Sequence, residues 1–152
     1  MSTKLHLRTD GRGRPLVVLV TPGQRHEVTQ LERLLEGGAV KRTGPDGRPS
    51  RGQPRKRPVK LAGDKGYSFP SARRLLRRRG IRAVIPTKSD QRWQPSFDRA
   101  AYRGRNQVER SVGRLKQFRR VATRYDKRAV NYLAWVTLAA AVIWLPPFAE
   151  RP

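Results

Sequence analysis

The chain has 152 residues, with 35 Lys and Arg against 11 Asp and Glu, a formal charge of +24 and no cysteine. That length fits one domain or a piece of one, and the lack of cysteine excludes a disulfide framework and a thiolate metal site. So large a charge repels itself, and a polyanion relieves the repulsion best; nucleic acid is the leading partner. An anionic membrane surface is the weaker candidate, because the arginines spread along the whole chain instead of lining one amphipathic helix.

Met1 to Asp10 mixes charged and apolar residues with no continuous apolar core, so no secretory signal is expected. Lys4, Leu5, His6, Leu7 and Arg8 alternate with period two, Asp10-Gly11-Arg12-Gly13 supplies a turn, and Leu16 to Val20 is an apolar run: a β-hairpin. Thr21-Pro22-Gly23 breaks the strand. Val28, Leu31, Leu34 and Leu35 then recur at helical spacing until Gly37-Gly38. The stretch 41–58 is Gly, Pro and Arg with little that is apolar, which predicts an exposed basic loop.

Val59 to Gly63 predicts a short strand with Asp64-Lys65-Gly66-Tyr67 at its C-terminal end, a usual location for working residues in α/β folds. Ser71 to Arg79 predicts a helix with Leu75 and Leu76 inward, ended by Gly80, and Ile81 to Ile85 the next strand. A helix bearing Glu109 follows, starting near Gly104. Ala129 to Leu145 is almost wholly apolar and touches the lower limit for a membrane span, but Asn131 and Thr137 interrupt it and Pro146-Pro147 stop it. A buried core helix containing Trp135 and Trp144 is the preferred reading. The order β-β-α-β-α-β-α-α argues for a mixed α/β sheet with flanking helices.

Tyr102, Arg105, Glu109 and Lys116 carry the most specific pattern. At ~100° per residue they fall within roughly 60° of arc, while Val108, Val112, Leu115 and Phe118 cluster on another side of the same segment. One carboxylate among cations and a phenol suits a metal and a phosphate; a solvated face with an ordinary Arg105–Glu109 ion pair is the alternative. His6 and His26 have no second ligand at metal spacing and are read as structural or solvated. Trp93, in a basic loop, is read as packing, with stacking on an unpaired base as the alternative.

Asp64-Lys65-Gly66-Tyr67, Ala83-Val84-Ile85-Pro86 and the run Tyr102 to Tyr125 together resemble the catalytic core of DDE transposases of bacterial insertion sequences, in the IS five group. Tyr102, Arg105, Glu109 and Lys116 match its Y-x2-R-x3-E-x6-K signature at every spacing, and Thr3 to Leu7 and Pro22 to His26 also look like family segments. The resemblance implies an RNase H-like fold over 1–152. It also implies three carboxylates holding two Mg²⁺ ions that activate water or a 3′-hydroxyl for attack on a DNA phosphodiester. By the match Asp64 is the second acid and Glu109 the third, both metal ligands; Arg105 and Lys116 grip phosphates and Tyr102 positions DNA. Arg119, Arg120 and the arginines from Arg73 to Arg79 are expected to follow the DNA backbone.

In the family the first aspartate sits on a central strand upstream of the hairpin that here begins at Thr3. That acid and strand are expected to be missing, and Asp10 is read as turn chemistry instead. The expectation is therefore a transposase fragment that binds double-stranded transposon-end and target DNA and is inactive alone. Its partner would be an upstream reading-frame product or another copy, on the nucleoid of the bacterial cytoplasm. The alternative is a non-catalytic basic DNA-binding protein or an inhibitor of transposition.

Overall fold

The computed structural model describes residues 2–39, 48, 52–91 and 97–145. Trp93 and most of the basic stretch 41–58 lie outside them. The hairpin forms as β1 (Thr3–Thr9) and β2 (Pro15–Pro22), antiparallel with Leu5 opposite Val20 and Leu7 opposite Val18. Its turn is built by Asp10, whose Oδ1 accepts from the backbone of Arg12 and Arg14 at 2.9 and 2.8 Å while its Oδ2 takes the Arg14 side chain. Asp10 is thus turn chemistry, as read. Gly13 completes the turn at φ +75°, and a Cβ there would meet the Gln107 carbonyl at 2.8 Å. β2 runs further than the sequence suggests, through Thr21 to Pro22, because Pro22 still faces Thr3 in the register.

A 3₁₀ turn over Glu27–Gln30 leads into α1 (Leu31–Glu36), whose Leu31, Leu34 and Leu35 are buried. β3 (Lys60–Ala62) and β4 (Arg82–Val84) pair in parallel, joined by α2 (Pro70–Arg78). α2 starts with proline in its first turn and ends at Gly80, φ +62°, with Gly80 N donating to Arg77 O and Ile81 N to Leu76 O. Then come α3 (Arg99–Arg103), α4 (Asn106–Lys116), α5 (Arg119–Ala122) and α6 (Ala129–Trp144).

Burial divides into two cores. Leu31, Leu35, Ala72, Leu76, Ile81 and Ile85 form one, around the parallel pair. Leu115, Val121, Tyr132, Val136, Ala139 and Ala140 form the other, against the hairpin residues Leu5, Leu7, Val18 and Val20. The mixed α/β class is as expected, but one continuous sheet is not what the described residues make: β1 pairs only with β2, and β3 only with β4. A cleft of about 500 Å³ is lined by residues of both β1 and β3. Arg8 bridges it at one side. The residue is 7 % exposed, and its guanidinium donates to the carbonyls of Leu34, Leu35 and Gly37 at the end of α1 and to that of Lys56 before β3.

α6 corrects the sequence reading. Tyr132, Val136, Ala139 and Ala140 are buried, whereas Val130, Leu138, Val142 and Leu145 are exposed and Trp135 and Trp144 are 37 and 40 % exposed. A helix apolar all round would be covered all round in a larger core; here only one side meets β2, α4 and α5. Among the described residues no helix is long and apolar enough to cross a membrane.

Leu115 has no exposed surface and Arg8 holds four carbonyls, so Leu115→Ala is expected to cost ~2–5 kcal/mol and Arg8→Met ~2–4 kcal/mol. Leu138→Ala, on the uncovered side of α6, should change stability by less than about 0.5 kcal/mol. Denaturant midpoints at constant slope check all three.

Candidate functional site

Asp64 follows β3, where Gly63 N donates to Val84 O at 3.2 Å and so fixes the strand end. The Asp64 Oδ1 accepts from Gly66 N at 2.9 Å and caps a single 3₁₀ turn over Lys65–Tyr67, leaving the carboxylate exposed. Gly66 is enclosed by two acids: an added Cβ would lie 2.9 Å from Asp64 Oδ1 and 3.2 Å from Glu27 Oε2. Burial, with Asp64 and then Glu27 adding to it, pushes the Tyr67 phenol up, so it stays protonated.

Glu27 was missed in the sequence, although it immediately follows the Pro22 to His26 segment. It accepts from Lys4 Nζ at 2.8 Å, and that bond, followed by its own backbone amide, holds its carboxyl below the ordinary range. Its signal is tertiary: Lys4 comes from β1 and Gly66 from the turn after β3, so no spacing along the chain reveals the contact.

The four signature residues do not share one helix. Tyr102 is on α3, Arg105 caps α4, and Glu109 and Lys116 are on α4. The junction keeps right-handed backbone at Gly104 and Arg105 but tightens to i→i+3 bonds, Arg105 N to Tyr102 O at 2.9 Å and Val108 N to Arg105 O at 2.9 Å. In such a turn side chains three apart eclipse, and the Arg105 guanidinium accordingly lies 5.5 Å from the centre of the Tyr102 ring, which itself packs on Phe97. Arg105 also forms an ion pair with Glu109. Tyr102, Arg105 and Glu109 therefore make one contact chain.

Lys116 sits about 10 Å further along α4 in its last turn, where a cation complements the helix dipole. Beyond it, Arg119 donates to the Tyr125 hydroxyl at 3.3 Å and Arg120 stacks over Trp135 at 4.5 Å. Gly63, next to Asp64, and Arg105 and Val108, next to Glu109, line the same cleft between β1 and β3. Among the described residues no group of three or more acids or histidines is close enough to hold a metal ion.

A family model described as "Transposase DDE domain" matches residues 1–144. The chain belongs to the DDE transposase family. It is 35 % identical over 141 residues to a Burkholderia cepacia protein named as a transposase for insertion sequence element IS402, covering 93 % of this chain and 62 % of that relative. It is 31 % identical over 149 residues to a Brucella ovis protein named as a transposase for element IS6501, covering 95 % of this chain and 99 % of that one. The chain thus spans about three fifths of the first relative and nearly all of the second. No solved structure matches it.

His6 lies beside this site, 2 % exposed and bonded to the Thr21 hydroxyl at 2.8 Å. Burial lowers its pKa from the ordinary 6.5; nearby Glu27 works against this and Lys4 with it. The unfolded chain takes up a proton near pH 6.5 that the folded chain resists, so the stability it contributes is whole above that pH and is lost as acid approaches the lowered value. A His6→Gln chain should lose this portion of the decline in melting temperature between about pH 7 and 5, measured alongside the parent chain.

Proposed function

We propose that the chain is a transposase polypeptide that binds transposon-end DNA and contributes Asp64 and Glu109 to a strand-transfer site completed by a further strand. The observation that supports this reading is the cleft whose rim holds the neighbours of both acids and whose two walls, β1 and β3, each have one edge that no other described strand pairs with. An extended segment seated there would pair with both edges and close an RNase H-like sheet. An upstream reading-frame product or a second copy is the proposed source.

The carboxylates suit Mg²⁺ in kind, being hard oxygen donors, but not in number: two exposed acids fall short of a two-ion site. Cleavage therefore belongs to the completed assembly. What this chain's own side chains do is bind and orient. Arg105 offers a planar fork to a phosphate once it lets go of Glu109, with the Tyr102 ring holding it in place, and Lys116, Arg119 and Arg120 extend the cationic path along α4 and α5. A cytoplasmic location on the nucleoid follows from this role.

The Arg105–Glu109 pair favours a second reading, in which the chain binds DNA without cutting it and blocks the complete enzyme. Both are tested by Mg²⁺-dependent nicking of DNA carrying the element's terminal repeats. Under the first, the chain alone is inert, a chain extended by an Asp-bearing upstream strand cuts, and Asp64→Asn or Glu109→Gln in the extended chain removes cutting. If the extended chain stays inert and the short chain lowers cutting by a complete transposase, the second reading stands. Cutting by the short chain alone would overturn the proposed need for a further strand.

A further inference from the structure

A second concavity lies on the far side of α2, away from the cleft between β1 and β3. It has a volume of about 350 Å³ and is lined by Ser68, Arg73, Arg74, Arg77, Thr87 and Gln91, with no carboxylate in its wall among the described residues. The pattern comes from the helix itself. Ala72 and Leu76 face the core around the parallel pair, which turns positions 70, 73, 74 and 77 to the opposite side as one face.

The arginines of α2 and of its C-terminal cap are not equivalent. Arg79 is held by Glu32 at 2.7 Å and Glu36 at 3.4 Å, and Arg73 donates to the Ile85 carbonyl at 2.9 Å, so both serve the fold. Arg74 and Arg77 are exposed and make no ion pair among the described residues. One turn apart on a helix, their side chains start ~5–6 Å from each other and converge over the same hollow. Among its lining residues is Ser68, 1 % exposed, whose hydroxyl is bonded to the Gln91 side chain. Several cations and hydroxyl and amide groups around a space with no acid repel one another when empty and cohere around an anion.

We propose that this hollow is a phosphate seat for the DNA backbone, in which Arg74 and Arg77 clamp one or two phosphates. The proposal rests on the transposase reading and names where DNA leaving the Asp64 turn is held. Ser68 is four residues beyond Asp64, a reach of at most about 14 Å, so the clamped phosphate lies within about five nucleotides of one at Asp64. The clamp reads charge and not sequence, and it fixes the strand's direction relative to the acid.

The test is the salt dependence of binding to a duplex of arbitrary sequence. Replacing both residues, Arg74→Gln with Arg77→Gln, should shrink the slope of log K against log salt by about 2. Arg74→Lys with Arg77→Lys should keep it, because the charges remain. The comparison pair is Arg12→Gln with Arg128→Gln, which removes the same charge from exposed positions elsewhere and should change the slope by clearly less. An equal change in the two Gln pairs, or loss of the slope in the Lys pair, would overturn the seat while leaving the transposase reading in place. If the parent chain does not bind DNA at all, both fall together.

Discussion

The Arg8 guanidinium is the tie on which the arrangement depends. It rises from β1, satisfies three carbonyls at the end of α1 that no helical amide can reach, and catches the Lys56 carbonyl just before β3. In a complete sheet, backbone pairing across the middle would do this joining. Here one side chain does it from the edge, and burial lowers its pKa without threatening its charge, since an arginine starts far above neutral. Around that tie the two cores stay separate, each sealed by its own helices.

The separation explains why the two acids are exposed. Asp64 follows a strand of three residues, too short to carry a sheet alone, and Glu109 lies in the first turn of a helix whose buried Leu115 belongs to the other core. Each acid is positioned by its own half of the molecule, and the cleft is where the halves face each other. Glu27 and Lys4 add a link between the hairpin and the Asp64 turn. Their 2.8 Å bond crosses from β1 to the residue that abuts Gly66, two residues beyond Asp64.

Much of this was legible along the chain because its causes are local. Asp10 and Gly13 dictate a turn, Gly80 a helix end, and the alternation in β1 an inward face, since each depends on backbone preferences within a few residues. The Arg105–Glu109 ion pair forms as the alternative reading of their i, i+4 spacing had it, whereas counting ~100° per residue through Gly104 assumed a helix that tightens at that point. Arg8 and Glu27 were opaque, because their partners lie on other elements and nothing in their neighbourhood marks them as more than ordinary charges. α6 misled for a different reason: composition states how apolar a helix is, but coverage depends on what packs on it.

The charge of the chain acquires structure once its arginines are sorted by partner. Arg8 and Arg73 hold carbonyls, Arg14, Arg79 and Arg82 hold carboxylates, and Arg120 lies on a tryptophan, so each of these is already occupied by the fold. With 11 acids against 35 cations, pairing runs out long before the cations do. Part of the surplus lines a hollow, as at Arg74 and Arg77, and part lies exposed on α4 and α5, as at Lys116 and Arg119. Repulsion within such a group destabilises the free protein and is relieved by a polyanion, so an arginine surplus that looks like mere composition in the sequence becomes, in three dimensions, a set of places suited to the phosphate chain of the proposed function.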